Sequence, residues 1–462
     1  MCGRAEAATL PASMDTEDRF PHPLALLTAG ILLAAVLTWI LPAGAYQRVE
    51  DAETGRTVVV AGTYEGVEAA PVGPFEALVA IPQGLINAAE VVVLVFLVGG
   101  AFVVIDQTGA LRRGIDRLAR RLQNHGTWVI PISCIVFATA GALQNMQEEI
   151  VALIPVLLIL TRRFGFDPVT AVAMSIGAAS LGSSFSPVNP FQVAIAQRLA
   201  DVPLFSGAAF RMAAFLPALG FWIFATIRHA RRTATAPDVA TVDTSESSLD
   251  ARTTLILALT VAAFGIFITG LIRWGWGFNE MSAVFFVLGV TAGLLGGLGI
   301  NGTSAAYVQG FREMAFSALL IGFASAIYVV LESGRVVDTL VNGLVQPLAG
   351  LPAGLSAIGM VGLHALLHVP VPSVSGQAVL TMPILVPLSD LLGLSRQVTI
   401  LAYQYGAGLT ELITPTNGAL MAVIAAAGVR YDRWLRFVLP LFLGLVAIGI
   451  IAILVAIAIG LQ

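Results

Sequence analysis

Lysine is missing from this chain: all 24 basic residues are arginine. A Walker A phosphate loop needs a lysine, and so does a pyridoxal-phosphate Schiff base. Both chemistries are therefore unexpected within the chain. Cysteine is nearly missing too. Cys2 and Cys134 are too few for a disulfide framework or a zinc site. Charge is scarce at 11% of residues, where a soluble domain carries about 25%. The net charge of −4 is thinly spread, which argues against a nucleic-acid partner.

Apolar residues fill the space left by charge. They make up 57% of the chain, and the mean hydropathy is +0.88. The uncharged runs Leu24–Tyr46, Thr253–Ile272, Met281–Ile300 and Phe437–Leu461 are long enough to span a bilayer core of about 30 Å. The first is too long for a signal-peptide core and no small-residue cleavage site follows it, so it reads as a membrane helix. The expected partner is the lipid bilayer.

Two of the apolar stretches are interrupted in the same way. One reads Gly182-Ser183-Ser184-Phe185-Ser186-Pro187-Val188-Asn189-Pro190, the other Thr410-Glu411-Leu412-Ile413-Thr414-Pro415-Thr416-Asn417-Gly418. They share Ser/Thr-Pro-x-Asn. Proline breaks a helix and frees backbone groups that hydrocarbon cannot satisfy, so such breaks belong inside protein or beside a water-filled cavity. Paired breaks in two halves point to a transporter binding site.

Arginine clusters set the expected orientation. They fall at 112–121, 162–163, 228–232 and 430–436, all cytoplasmic by the positive-inside rule. A single crossing cannot connect the first two clusters, because both lie on one side. A re-entrant hairpin at about 127–163 can, turning near Gln144–Glu149; two short full crossings are the alternative. Residues 1–22 then form a cytoplasmic N-terminal segment and 23–232 a first repeat, with a broken helix at about 169–197. The outside stretch Gln47–Glu76 is expected to hold a small hairpin at Arg56–Tyr64. Residues 233–251, rich in Thr, Ser, Ala and Asp, read as a cytoplasmic linker, and 252–273 as a connecting helix. That odd crossing inverts the second repeat, 280–462. Its hairpin is expected at about 353–391, with a tip at Pro372–Gln377, and its broken helix at about 398–424. Spans are also expected at Val91–Ile105 and Phe316–Leu331. Residue matches support the duplication: Pro155 with Pro383, Gly165 with Gly393 and Asn189 with Asn417 are each 228 positions apart. The expected fold class is thus an all-α polytopic membrane protein: an inverted repeat with two re-entrant hairpins and two broken helices.

The hairpin tips and the breaks hold the groups that could carry chemistry. Asn145, Glu148 and Glu149 lie at the first tip, and Ser373, Ser375 and Gln377 at the second. An acidic side chain near the bilayer centre costs about 2.5–3.5 kcal/mol on insertion scales and usually faces a cavity. Glu411 lies inside the second break. Ser184, Ser186, Asn189, Thr414, Thr416 and Asn417 supply neutral oxygens and amides. Ser186, Asn189, Thr414 and Asn417 could ligate Na⁺; a proton is the other candidate coupling ion, and no organic cofactor is expected. Helix N-termini after the breaks could hold a carboxylate. No arginine falls in either tip or either break, so three glutamates point toward a cationic group. His364 and His368 stand four apart without a third metal ligand, and Asp106 and Glu332 end helices with no role assigned.

Val374–Leu385 followed by Arg396-Gln397-Val398-Thr399, Met146-Gln147-Glu148-Glu149 and Asn189-Pro190-Phe191 resemble the signature stretches of YfcC-type membrane proteins. That group is similar to DcuC-type anaerobic dicarboxylate carriers and to arginine/ornithine antiporters of the ion-transporter superfamily. The resemblance covers about residues 20–460. It implies a scaffold domain and a transport domain, a homodimer in a bacterial inner membrane with a cytoplasmic N-terminus, and an elevator motion. Relatives that couple Na⁺ to dicarboxylates carry Ser-Asn-Thr at both tips. This chain departs from them, with Gln144-Asn145-Met146 and Ser373-Val374-Ser375. The expectation is a secondary active transporter or exchanger for a small amino acid or organic acid, with a basic amino acid ahead of a C4-dicarboxylate. A channel or an intramembrane enzyme using Glu148 or Glu149 with His364 are alternatives of other classes.

Overall fold

A computed structural model of the chain describes residues 21–50, 57–121, 123–235, 250–274 and 276–462. Most of the N-terminal segment and of the 233–251 linker lie outside the described residues. What is described is mostly helical. Eight described helices are long and apolar enough to cross a membrane.

Helix α1 (Pro23–Ile40) begins at a proline, whose missing N–H is one the first turn leaves unpaired anyway. Four short strands follow. β1 (Gly44–Ala45) pairs antiparallel with β4 (Glu65–Gly66), and β2 (Arg48–Glu50) with β3 (Thr57–Val59). The pairing differs from the hairpin expected at Arg56–Tyr64: residues 57–59 pair back to 48–50, outside that window. Alternation within 57–64 alone could not reveal a partner upstream.

Helices α2 (Pro74–Asn87) and α3 (Ala89–Gln107) meet at Ala88. The sequence pattern does not foretell the first of them, because Pro82 and Gly84 interrupt its apolar run; Gly84 packs against the backbone of Gly322 and Ala326. After α4 (Ala110–Arg121) come α5 (Val129–Gln144) and α6 (Glu148–Arg163), joined by a three-residue turn. Asn145 makes that turn in the left-handed region, with φ 56°, a conformation asparagine tolerates better than most residues. Helix α7 (Pro168–Val172) continues through a π-helical turn into α8 (Ala178–Ser184). The chain breaks at Phe185–Asn189 and resumes as a π turn leading into α9 (Ile195–Leu199). Helix α10 (Ala208–Thr233) closes this half, and α11 (Ala251–Trp274) connects to the next.

The second half runs through α12 (Phe278–Leu295), α13 (Gly299–Ser333) and α14 (Val337–Val345). Helix α13 has 35 residues, far more than the expected span Phe316–Leu331; no proline interrupts it, so its polar first third stays helical. Helices α15 (Ala353–His368) and α16 (Val374–Leu391) form the second hairpin, and α17 (Arg396–Thr410) and α18 (Gly418–Ala426) flank the second break. Helix α19 (Tyr431–Ala458) ends the fold. The arms α5, α6 and α15 have 16 residues each, about 24 Å at 1.5 Å per residue.

Packing follows small residues. A Cβ on Gly141 or Gly182 would sit 2.0 Å from Ala179 O or 1.9 Å from Ala138 O, so α5 and α8 meet backbone to backbone. Gly406 does the same for α17 on α15, 2.5 Å from Val361 O. Close approach of this kind holds membrane helices together where lipid offers no hydrophobic driving force. Helix α13 packs along α2, α3 and α1, and α11 touches mainly α12 and α4. The main core joins the hairpins and broken helices to α1, α2, α10, α13, α14 and α19, a second core joins α3, α4, α11, α12 and the first part of α13, and a third joins α9 to α16 and α17.

Candidate functional site

Side chains within each break and from neighbouring helices satisfy its freed backbone groups. At the first, Ser186 Oγ donates to Ala142 O at 2.6 Å and accepts from the amides of Val188 and Asn189. Asn189 Nδ2 donates to Gly141 O at 2.9 Å, while its Oδ1 caps Phe191 and Gln192. Ser184 Oγ donates back to Ser180 O, and Ser183 bonds Asn145. Gln404 of α17 reaches across and donates to Ser186 O at 2.8 Å. At the second break, Asn417 Oδ1 caps Leu420 N at 3.1 Å, and Thr414 and Thr416 share a hydrogen bond. Trp434 Nε1 donates to Leu412 O, and the Tyr431 hydroxyl donates to Ile413 O.

The first hairpin turn meets the second break through Gln147. Its Nε2 donates to a Glu411 carboxylate oxygen. Its Oε1 accepts from Ser180 Oγ at 3.2 Å and from Asn417 Nδ2 at 3.3 Å. Asn417 Nδ2 also donates to Glu411 O. Glu148 and Glu149 open α6, where the positive end of the helix favours a carboxylate. Opposite them, Ser373 caps α16 by accepting from Gly376 N at 3.1 Å.

Two cavities, of about 450 and 420 Å³, flank the second hairpin turn; Glu148, Pro372, Ser373 and Glu411 line both. The larger also takes in Gln147, Thr416, Asn417, Arg48, Tyr328 and Glu332. The smaller takes in Asn145, Glu149, Ser375 and the rings of Phe191, Phe267, Trp276 and Phe278. The structure thus gathers Asn145, Glu148, Glu149, Ser373, Ser375, Glu411, Thr416 and Asn417 around one junction. Ser184, Ser186, Asn189 and Thr414 line neither cavity, being engaged within their breaks or buried beside them.

The second turn lies earlier than expected, at 369–373, so Gln377 falls inside α16. It is fully buried, donates to Val371 O at 3.3 Å and lines neither cavity. Gln147 is not distinguishable from sequence as a site residue, because the charges of Glu148 and Glu149 beside it are the stronger signal; its place in a polar tip is the cue it does offer. Arg48 is not distinguishable either. No arginine lies in a tip or a break, yet β2 carries this one to the larger cavity. There Arg48 Nη2 donates to Asp338 Oδ1 of α14 at 2.9 Å, and Tyr46 N donates to Asp338 Oδ2. Glu332, given no role from sequence, faces the same cavity. His364 and His368 are fully buried away from both cavities, and the Tyr403 ring packs on His364 at 5.2 Å. Among the described residues no group of three or more His, Cys, Asp or Glu side chains comes together as a metal site.

Beyond the junction, Asp167 ties three elements together outside the spans. It caps α7 through Thr170, contacts His229 of α10 at 3.2 Å and pairs with Arg433 of α19 at 3.0 Å. Burial pushes its carboxyl up, but the hydrogen bonds from His229 and Thr170 outweigh that and hold it at about 2.

Comparison with known proteins follows the same stretch of chain. The family described as "DcuC: C4-dicarboxylate anaerobic carrier" matches residues 20–458. A protein of Escherichia coli K12, "Putative basic amino acid antiporter YfcC", is 30% identical over 90% of this chain and 92% of its own. An uncharacterized protein of Haemophilus influenzae is 27% identical over 95% of this chain and 97% of its own. Among solved structures, the Alcanivorax borkumensis YdaH transporter superposes with a TM-score of 0.46 at 20% identity, covering 95% of this chain and 99% of that one. Neisseria gonorrhoeae MtrF, from a class called antimetabolite efflux pumps, superposes at 0.39 with 16% identity, covering 94% and 95%.

Proposed function

The chain belongs to the C4-dicarboxylate anaerobic carrier family, DcuC, and from that premise we propose that it is a secondary active exchanger whose substrate carries a cationic group, a basic amino acid foremost. It is a multi-pass membrane transporter and not an enzyme. The observation that carries the substrate reading is the lining of the larger cavity. Glu148, Glu332 and Glu411 face it, and the arginine there, Arg48, is already paired with Asp338. A dianion entering that space would meet uncompensated carboxylates, whereas an ammonium or guanidinium group would meet partners. The name of the Escherichia coli relative points the same way. A C4-dicarboxylate is the second reading, supported by the family's description and by Arg48 at the cavity.

The order of elements supports an inverted repeat. A first long helix, a second that is interrupted at Ala88 in one half and continuous in the other, a short helix, a hairpin, a broken helix and a final long helix occur in 23–233 and again in 278–458. In this reading the hairpins and broken helices are the moving body of an elevator, and α1, α2, α3, α12 and α13 the fixed one. Asn145, Glu148, Glu149, Ser373, Ser375, Glu411, Thr416 and Asn417 bind substrate. Ser184, Ser186, Asn189, Thr414 and Gln377 shape that body, with a proton or Na⁺ as coupling ion. The N-terminus is cytoplasmic, the membrane is the bacterial inner membrane and the working unit is a homodimer.

Counterflow in proteoliposomes tests the substrate reading. Vesicles preloaded with arginine are expected to accumulate labelled arginine, while succinate-loaded vesicles leave labelled succinate outside. Succinate exchange without arginine exchange would replace the basic amino acid with a dicarboxylate.

A further inference from the structure

The smaller cavity has a composition that the larger one lacks. Four aromatic rings face it, from Phe191, Phe267, Trp276 and Phe278, and the carboxylates of Glu148, Glu149 and Glu411 face it from the hairpin and the break. Phe267 belongs to α11 and Phe278 to α12, so the rings come largely from outside the hairpins. Trp276 is seated by its neighbours: its amide donates to Gly270 O at 3.3 Å, and its ring lies where a Cβ on Gly270 would be, 2.2 Å from Cε3. Glu149 supplies an independent sign of a binding site. It is 7% exposed, it lines this cavity, and among the described residues its Oε2 has no hydrogen-bond partner. A carboxylate oxygen buried without a donor is costly, and the ligand that relieves it brings donors and positive charge.

We infer that this aromatic cavity is a binding subsite for an organic cation, a guanidinium or alkylammonium head, with Trp276 as the residue that sets specificity. Aromatic faces attract cations through the ring quadrupole, tryptophan best of the three rings, and they do so for organic cations whose hydration is weak. A guanidinium satisfies both walls at once, donating in its plane to Glu149 and stacking on a ring. A carboxylate satisfies neither. The second hairpin turn, Pro372 and Ser373, stands between this cavity and the larger one, so a cationic head here reaches the same Glu148 and Glu411 from the other side. The assignment rests on the cationic-substrate reading above and adds where the head binds.

Calorimetric titration of the purified, detergent-solubilised full chain with arginine and with citrulline tests it, because citrulline keeps the α-ammonium and α-carboxylate and replaces the guanidinium with an uncharged ureido group of the same shape. Wild type is expected to bind arginine at least tenfold more tightly than citrulline. Trp276→Ala is expected to weaken arginine about 10- to 30-fold, between an exposed and a fully desolvated cation–π contact, and to leave citrulline within threefold. Trp276→Phe keeps a ring and is expected to stay within threefold of wild type for arginine; it guards against a misfolded alanine variant. Equal affinity for arginine and citrulline in wild type, or an unchanged arginine affinity in Trp276→Ala, overturns the subsite. Counterflow reads the transport assignment separately. A chain that exchanges succinate and not arginine loses the substrate reading, while Trp276-dependent arginine binding would still establish the subsite.

Discussion

Glu411 is held by neighbours that leave its side chain open to both cavities. Gln147 donates to one carboxylate oxygen, Asn417 occupies the backbone carbonyl of the same residue, and the side chain faces both cavities. Replacing it by glutamine preserves shape and removes the charge. Glu411→Gln is expected to lower arginine counterflow by about 10- to 100-fold, the size of a lost charge-assisted hydrogen bond of about 1.5–3 kcal/mol, while the variant elutes as a single species in size exclusion. Unchanged counterflow would remove Glu411 from the binding site. Gln147→Leu belongs to the same argument: it strips the donor from Glu411, leaves Ser180 Oγ without its acceptor and leaves Asn417 Nδ2 with Glu411 O alone. A fall in both exchange and thermal midpoint is expected, and a fall in the midpoint alone would mark Gln147 as structural.

At the scale of elements, the breaks are stabilised by caps and the helix pairs by glycine. Asn417→Ala removes the cap of α18 and is expected to cost about 0.5–2 kcal/mol, read as a lower thermal midpoint in detergent. Gly182→Val forces a side chain into Ala138 O at a site with no room; loss of monodisperse protein is expected, and a well-behaved Gly182→Val would mean that α5 and α8 can part. Asp167 links α7, α10 and α19. Its folded-state pKa of about 2 lies below the usual carboxylate value. Its contribution is therefore fully present above about pH 4 and is lost as pH falls through about 2. The stability gap between wild type and Asp167→Asn is expected to stay constant from pH 7 to pH 5 and to close between about pH 4 and pH 2. A gap that widens on acidification would contradict the depressed pKa.

For the whole molecule, the proposed orientation puts the strands β1–β4 and the end of α10 on opposite faces of the membrane. In a background with Cys2 and Cys134 replaced by serine, Glu65→Cys is expected to react with an impermeant maleimide on intact cells. Arg232→Cys is expected to react only after lysis. The reverse pattern would invert the chain, and labelling of both on intact cells would dissolve the proposed topology. Saturable counterflow, which a channel would not give, checks the carrier class at the same scale.

What the chain determined by itself is the part of its chemistry that is local or periodic. A shortage of charge and long apolar runs imposed membrane helices, and proline followed by asparagine marked the two breaks, where the proline removes an N–H and the asparagine caps the helix that resumes; proline alone does not do this, since Pro155, Pro217 and Pro440 lie inside helices. The tip glutamates were legible for the same reason: a charge among apolar neighbours has to be accommodated. Only the tertiary structure decided which polar groups face open space. Ser186 and Asn189 turn inward to bond the last carbonyls of α5, Gln377 is swallowed by α16, and Gln147 bridges to a break more than half the chain away. Arg48, Glu332 and Trp276 reach the cavities from a strand, a helix end and a connecting segment. No spacing in the sequence relates them to the tips, because their distance is set by how whole helices pack.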